Sequence, residues 1–152
     1  MSDNPTFIPY IVVSNAAAAI DFYKKAFGAV ELARHAAPNS DKLMHASLKI
    51  NGGVLMMCDD FCATSMGDKS QTPEALGGSP VTFHLQVDDA DATWAKALAA
   101  GAQVKMPLAD QFWGDRYGQV RDPFGFYWSI GQSISKPTPA EIEEGAKAAF
   151  AH

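Results

Sequence analysis

The sequence predicts a single α+β domain made of two tandem βαβββ modules whose curved sheets share a cleft. Three observations predict it. The order strand, capped helix, three strands is written twice. The copies superpose: Val13-Ser14-Asn15 falls on Val87-Asp88-Asp89 and Ile20 on Trp94, both 74 positions on, and Gly28-Ala29 meets Gly101-Ala102 after one deletion. Finally, one short helix covers only part of one sheet face, so neither module can bury its apolar surface alone.

Residues 7–13 (FIPYIVV) read as the first strand, with Pro9 marking an edge or a strand start. Ser14-Asn15 offers N-cap oxygens, and 16–27 follows as a helix with Ala16, Ile20, Tyr23 and Phe27 on one stripe. Gly28 stops it. Residues 30–35 form a short strand. In 43–50, Met44, Ala46, Leu48 and Ile50 alternate with His45, Ser47 and Lys49. Asn51-Gly52 is a hairpin turn leading into a strand over 53–59. The piece 61–80, rich in glycine and proline, reads as a linker or a lid. Then the pattern restarts: strand 81–87, a cap at Asp88-Asp89, helix 90–100, Gly101, and strand 104–107. Strands 116–121 and 126–131 flank the turn Asp122-Pro123-Phe124-Gly125. A helix over 141–150 follows Thr138-Pro139. The predicted organisation is therefore one domain over 1–152: module one at 7–59, a connection at 60–80, module two at 81–133, and an appendage at 134–152.

Composition narrows the function classes. The 152 residues are 47% hydrophobic and 19% charged, a globular balance. A net charge of −5 without a basic stripe argues against nucleic acid or anionic membrane as a partner. No apolar run is long enough to span a bilayer and no basic-then-apolar leader opens the chain, so a cytoplasmic protein is expected. Cys58 and Cys62 lack the second pair that a structural zinc site needs, and read as reduced thiols.

Alternation along the strands assembles a candidate lining. Tyr10 comes from the first strand, Thr82, His84 and Gln86 from the fifth, Tyr127 and Ser129 from the last. Imidazole is the side chain suited to proton transfer near neutral pH, so His84 is the candidate general base; the alternative is a histidine hydrogen-bonded into a polar lining. Arg116 could grip an anion through its planar fork or pair with Asp110, Asp115 or Asp122. Trp113, before Gly114, suits a gate, a stacking platform or core packing. No catalytic triad, glycine-rich phosphate loop or carboxylate pair is present.

Three stretches carry a resemblance: PYIVVSNAAAAIDFYKKAFGA, LGGSPVTFHLQVDDADA and QFWGDRYGQVRDPFGFYWSI. They resemble the vicinal-oxygen-chelate superfamily of glyoxalase I, extradiol dioxygenases and bleomycin-resistance proteins, and within it the PhnB-like branch. The resemblance implies a paired-module fold, a homodimer, and a divalent metal held by His, Glu or Gln on the first and fourth strands of each module. Carried over, those positions fall on Ile8, Met56 (or Met57), Thr82 and Ser129, none a good ligand for such a metal. The branch's histidine after the DPFG turn is replaced by Phe126. Two functions follow. The first is a metal-free binder of a small organic molecule, using Tyr10, Met56, Thr82, Gln86, Trp113, Arg116, Tyr127 and Ser129. The alternative is a lyase or dioxygenase with a divalent metal displaced toward His84, for which His45 and His84 would have to converge with a carboxylate. A methyltransferase finds no support, because nothing resembles a nucleotide-cofactor loop.

Overall fold

The structure is a computed structural model and describes residues 5–61 and 69–151; Cys62 lies outside these. Module one contains β1 (Tyr10–Val13), α1 (Ala16–Phe27), β2 (Val30–Ala36), β3 (Leu43–Ile50) and β4 (Gly53–Asp59). A one-turn helix, α2 (Pro73–Leu76), interrupts the connection. Module two contains β5 (Thr82–Gln86), α3 (Ala90–Ala100), β6 (Gln103–Asp110), β7 (Asp115–Arg121) and β8 (Tyr127–Ser133), and α4 (Pro139–Ala149) ends the chain. The two sheets repeat one topology, β1-β4-β3-β2 and β5-β8-β7-β6, with a parallel pair at one edge and antiparallel pairs elsewhere. The duplicated α+β arrangement is the one expected.

Local chemistry sets the boundaries. Asn15 accepts from Ala18 N at 3.1 Å and Asp89 from Ala92 N at 3.0 Å, each satisfying a donor that its helix cannot. Both helices end on left-handed glycines, Gly28 at φ 66° and Gly101 at φ 118°. β1 starts at Tyr10 rather than residue 7, although the Pro9 carbonyl already accepts from Met56 N at 2.9 Å. Met44 is a correction to the alternation: it is 53% exposed and Leu43 is 4% exposed. The β2–β3 register slips there, from His35 opposite His45 to Ala36 opposite Leu43, and an extra residue reverses which face its neighbours take.

The helices lie between the sheets. α1 packs on β3 and β4, α3 packs on β6, β7 and β8, and the two helices pack on each other. Phe27 and Tyr23 of α1 reach Trp128 of β8 at 4.7 and 5.2 Å between ring centroids, and Phe22 reaches Phe124. Tyr23, Ile20, Leu48, Met57, Ile130, Val13 and Val120 are fully buried in this one core. Each module also ties its helix start to its last strand. Ala16 N donates to Asp59 Oδ1 at 2.9 Å, and Ala90 N to Gln132 Oε1 at 2.9 Å.

This packing sets how the two modules meet. The sheets turn their helix-bearing faces toward each other, because only α1 and α3 carry apolar surface enough to be buried by both. The opposite, polar faces therefore look outward on separate sides. Thr82, His84 and Gln86 are exposed on one and Tyr10 is 51% exposed on the other.

Candidate functional site

The outward face of module two is set out by strand register. His84 lies beside Ser129, and Ser129 beside Gln119; Gln86 lies beside Gly131, and Gly131 beside Tyr117; Thr82 lies beside Tyr127, and Tyr127 beside Arg121. Since residues two apart share a face, these rows form one continuous surface.

His84 is its centre. Nδ1 is 2.7 Å from Ser129 Oγ and Nε2 is 2.8 Å from Gln86 Oε1, so both ring nitrogens have partners. Gln86 Nε2 donates in turn to Ser133 Oγ at 3.1 Å. The Tyr117 ring stacks beside the imidazole at 5.9 Å and 20°, and Gln119 Nε2 donates to the Tyr117 hydroxyl at 2.9 Å. Glycine at position 131 makes room for this: a Cβ there would come within 2.9 Å of His84 Cε1 and 3.1 Å of Gln86 Oε1. Trp113 sets its edge against Tyr117 at 5.4 Å. α4 supports that turn from behind, since a Cβ on Gly145 would meet Phe112 at 2.5 Å. At the other end, Lys105 Nζ sits 3.8 Å over the Tyr127 ring. The result is a lining of amide, hydroxyl and imidazole groups bordered by rings, able to hydrogen-bond a polar ligand and stack against a flat one.

Of the residues expected here, the structure brings together His84, Gln86, Thr82, Tyr127 and Ser129, with Trp113 at the border. It does not bring Arg116 to them. That guanidinium lies on the helix side, bonded to Asp91 Oδ1 and Asp110 Oδ1 at 3.0 Å each, and its hydrogen bonds to Asp91 and then Asp110 raise its pKa. Nor does it bring Tyr10 and Met56, which are register partners on module one. Tyr10 hydrogen-bonds His45 Nδ1 at 3.1 Å, and burial, followed by Cys58, raises its phenol pKa. His45 thus meets Tyr10, not His84. Tyr117, Gln119 and Lys105 join the lining without having been singled out from sequence. For the first two the signal was available, in their two-residue spacing on a strand next to that of Ser129.

The metal positions do not fit a divalent ion. Met56 and Thr82 offer a thioether and a hydroxyl, Ile8 offers nothing, and Ser129 Oγ is engaged by His84. Among the described residues no group of three or more His, Cys, Asp or Glu side chains could hold a metal.

A concavity of about 380 Å³ lies between the end of α1 and the start of α3, lined in part by Phe27, Asn51, Asp89 and Lys96. Size alone would favour it as a site. Two of its polar groups have structural roles, however: Asp89 caps α3, and Asn51 Nδ2 donates to the Gln86 carbonyl at 2.8 Å. The outward face, where several polar groups converge, is the better candidate.

Comparisons with known proteins match this architecture. A profile of the Glyoxalase/Bleomycin resistance protein/Dioxygenase superfamily matches residues 6–130. Uncharacterized protein Rv0887c of Mycobacterium tuberculosis is 53% identical over 139 residues, covering 91% of this chain and 81% of that protein. The solved structure of the Arabidopsis thaliana At5g48480 product is 32% identical with a TM-score of 0.64, covering 83% of this chain and 97% of the other. TioX from Micromonospora sp. ML1 superposes with a TM-score of 0.65 at 26% identity, over 86% of this chain and 100% of its own.

Proposed function

Because the chain belongs to the glyoxalase/bleomycin resistance protein/dioxygenase superfamily, we propose that it is a PhnB-like member that binds a small organic molecule on the face around His84, without the superfamily's usual metal. The observation that carries this is the His84 imidazole, bonded at both nitrogens by Ser129 and Gln86 and flanked by Tyr117. A ring held at both ends is pre-organised, which spares a ligand the cost of ordering it. Thr82, Gln119 and Tyr127 are the further contacts, and Trp113 is the border against which a ring could stack. His84 would serve as an acid or base only if the ligand displaced one of its two partners.

A homodimer belongs to this proposal. Each polar face is half of a site in one chain; exposed Tyr10 lies on the edge strand β1, and exposed Val81 immediately precedes the edge strand β5. A second copy set against such an edge would cover it and place module one's Tyr10 and Met56 beside the His84 face.

The experiment is a thermal-shift screen of polar aromatic compounds on untagged protein, with metal content measured in parallel after loading with Zn, Ni, Mn or Fe. A ligand that raises the melting temperature of the wild type but not of His84→Ala supports the reading. Stoichiometric metal that is retained by the wild type and lost in His84→Ala would favour the displaced-metal lyase or dioxygenase instead.

A further inference from the structure

The outward face of module one carries a different constellation. His35 on β2 and His45 on β3 are direct cross-strand partners, which puts their Cβ atoms about 4.5–5.5 Å apart on one face. Their rings lie 6.0 Å apart between centroids with only 23° between planes. His35 is exposed and His45 half-buried, so water and ions reach both. The pairing depends on the bulge that separates His35–His45 from Ala36–Leu43 and turns Met44 aside.

A second, independent feature acts on His45 alone. The Tyr10 hydroxyl is 3.1 Å from His45 Nδ1. When Nδ1–H donates to that hydroxyl, the imidazole is in the tautomer whose Nε2 carries the lone pair. This is an outer-shell arrangement of the kind that orients a metal-binding histidine.

We propose that His35 and His45 form a two-histidine surface site for a borderline divalent cation such as Ni²⁺ or Zn²⁺. Neutral imidazoles suit these ions, and small side-chain rotations bring two facing rings to the roughly 2.0–2.1 Å that such bonds require. Water completes the coordination shell, since no third protein donor joins the pair among the described residues. The site is separate from the superfamily's metal position and does not depend on the ligand proposed for the His84 face.

The test is calorimetric titration of untagged full-length protein with NiCl₂ at neutral pH. One ion per chain is expected, with affinity at least about tenfold weaker, or about 1.4 kcal/mol, in both His35→Asn and His45→Asn, and unchanged in His84→Asn. Circular dichroism of each variant checks that the fold is kept. Absence of saturable binding to the wild type overturns the proposal, and so does a titration that neither His35→Asn nor His45→Asn changes. Loss confined to His84→Asn would do the same and place the ion on module two.

Discussion

Each module buries one carboxylate, and the two are used differently. Asp59 accepts from Ala16 N at 2.9 Å and Leu43 N at 2.7 Å, both from its own module. Asp122 accepts from Phe124 N and Phe126 N in its own turn, from Trp128 Nε1 at 2.9 Å, and from the Tyr23 hydroxyl of module one at 2.5 Å. The first is a local clasp, whereas the second joins the halves through the middle of the core. Repetition of a motif therefore does not repeat its role: Asp122 reaches α1 across the interface, and Asp59 holds two backbone donors of its own module. The outward faces differ in the same way. His84 is fixed at both nitrogens within its sheet, and His45 at one.

Replacing Asp122 breaks this contrast most severely. In Asp122→Asn the amide turns a donor toward the Trp128 indole, which can only donate. We expect a loss of about 2–3 kcal/mol, read from chemical denaturation. Asp59→Asn should cost less, about 1–2 kcal/mol, because only two backbone donors depend on it. Equal losses would mean that the bond to Tyr23 adds nothing to joining the modules.

The pH dependence sharpens the same point. Burial raises the Asp122 carboxyl pKa above its ordinary 3.8, outweighing the donors from Tyr23, Trp128, Phe126 and Phe124 that lower it. The folded state therefore holds this proton more tightly than the unfolded chain does. Its stabilising contribution is fully present below about pH 4 and is lost as pH rises through the folded value. The stability difference between wild type and Asp122→Asn should narrow over that window. A difference that widens would show that the four donors prevail over burial.

Gly131→Ala probes the outward faces. The added methyl must push His84 or Gln86 aside, so a ligand found by thermal shift should bind about tenfold more weakly, about 1.4 kcal/mol, with module one undisturbed. Unchanged affinity would remove the His84 lining from the binding site. Asn51→Ala should cost about 1 kcal/mol, because Asn51 sits at φ 48° and donates to Gln86 of the other module; a melting curve measures it. The smallest effect is expected from Arg116→Ala, which should leave ligand affinity unchanged because its partners Asp91 and Asp110 lie on the helix side.

The sequence by itself determined the repeat, the bounds of α1, β3, β4 and α3, the cap pairs Ser14-Asn15 and Asp88-Asp89, and which residues of β5 and β8 share a face. These follow from spacing and from local donors and acceptors, all within one element or one turn. It could not show the β2–β3 bulge, whose extra residue is defined only against a partner strand, and so it placed Met44 on the wrong face. Arg116 was equally open, with acidic candidates in plain view, and the partner it shares with Asp110 is Asp91, a residue of a helix 25 positions earlier. Only the tertiary structure decided how the modules meet. A two-sided sheet can close over a cleft or over helices, and strand alternation is identical in both. The choice falls to α1 and α3, whose apolar surfaces are buried best against each other and both sheets. That choice sends the polar faces of His84 and His45 to opposite sides of the molecule.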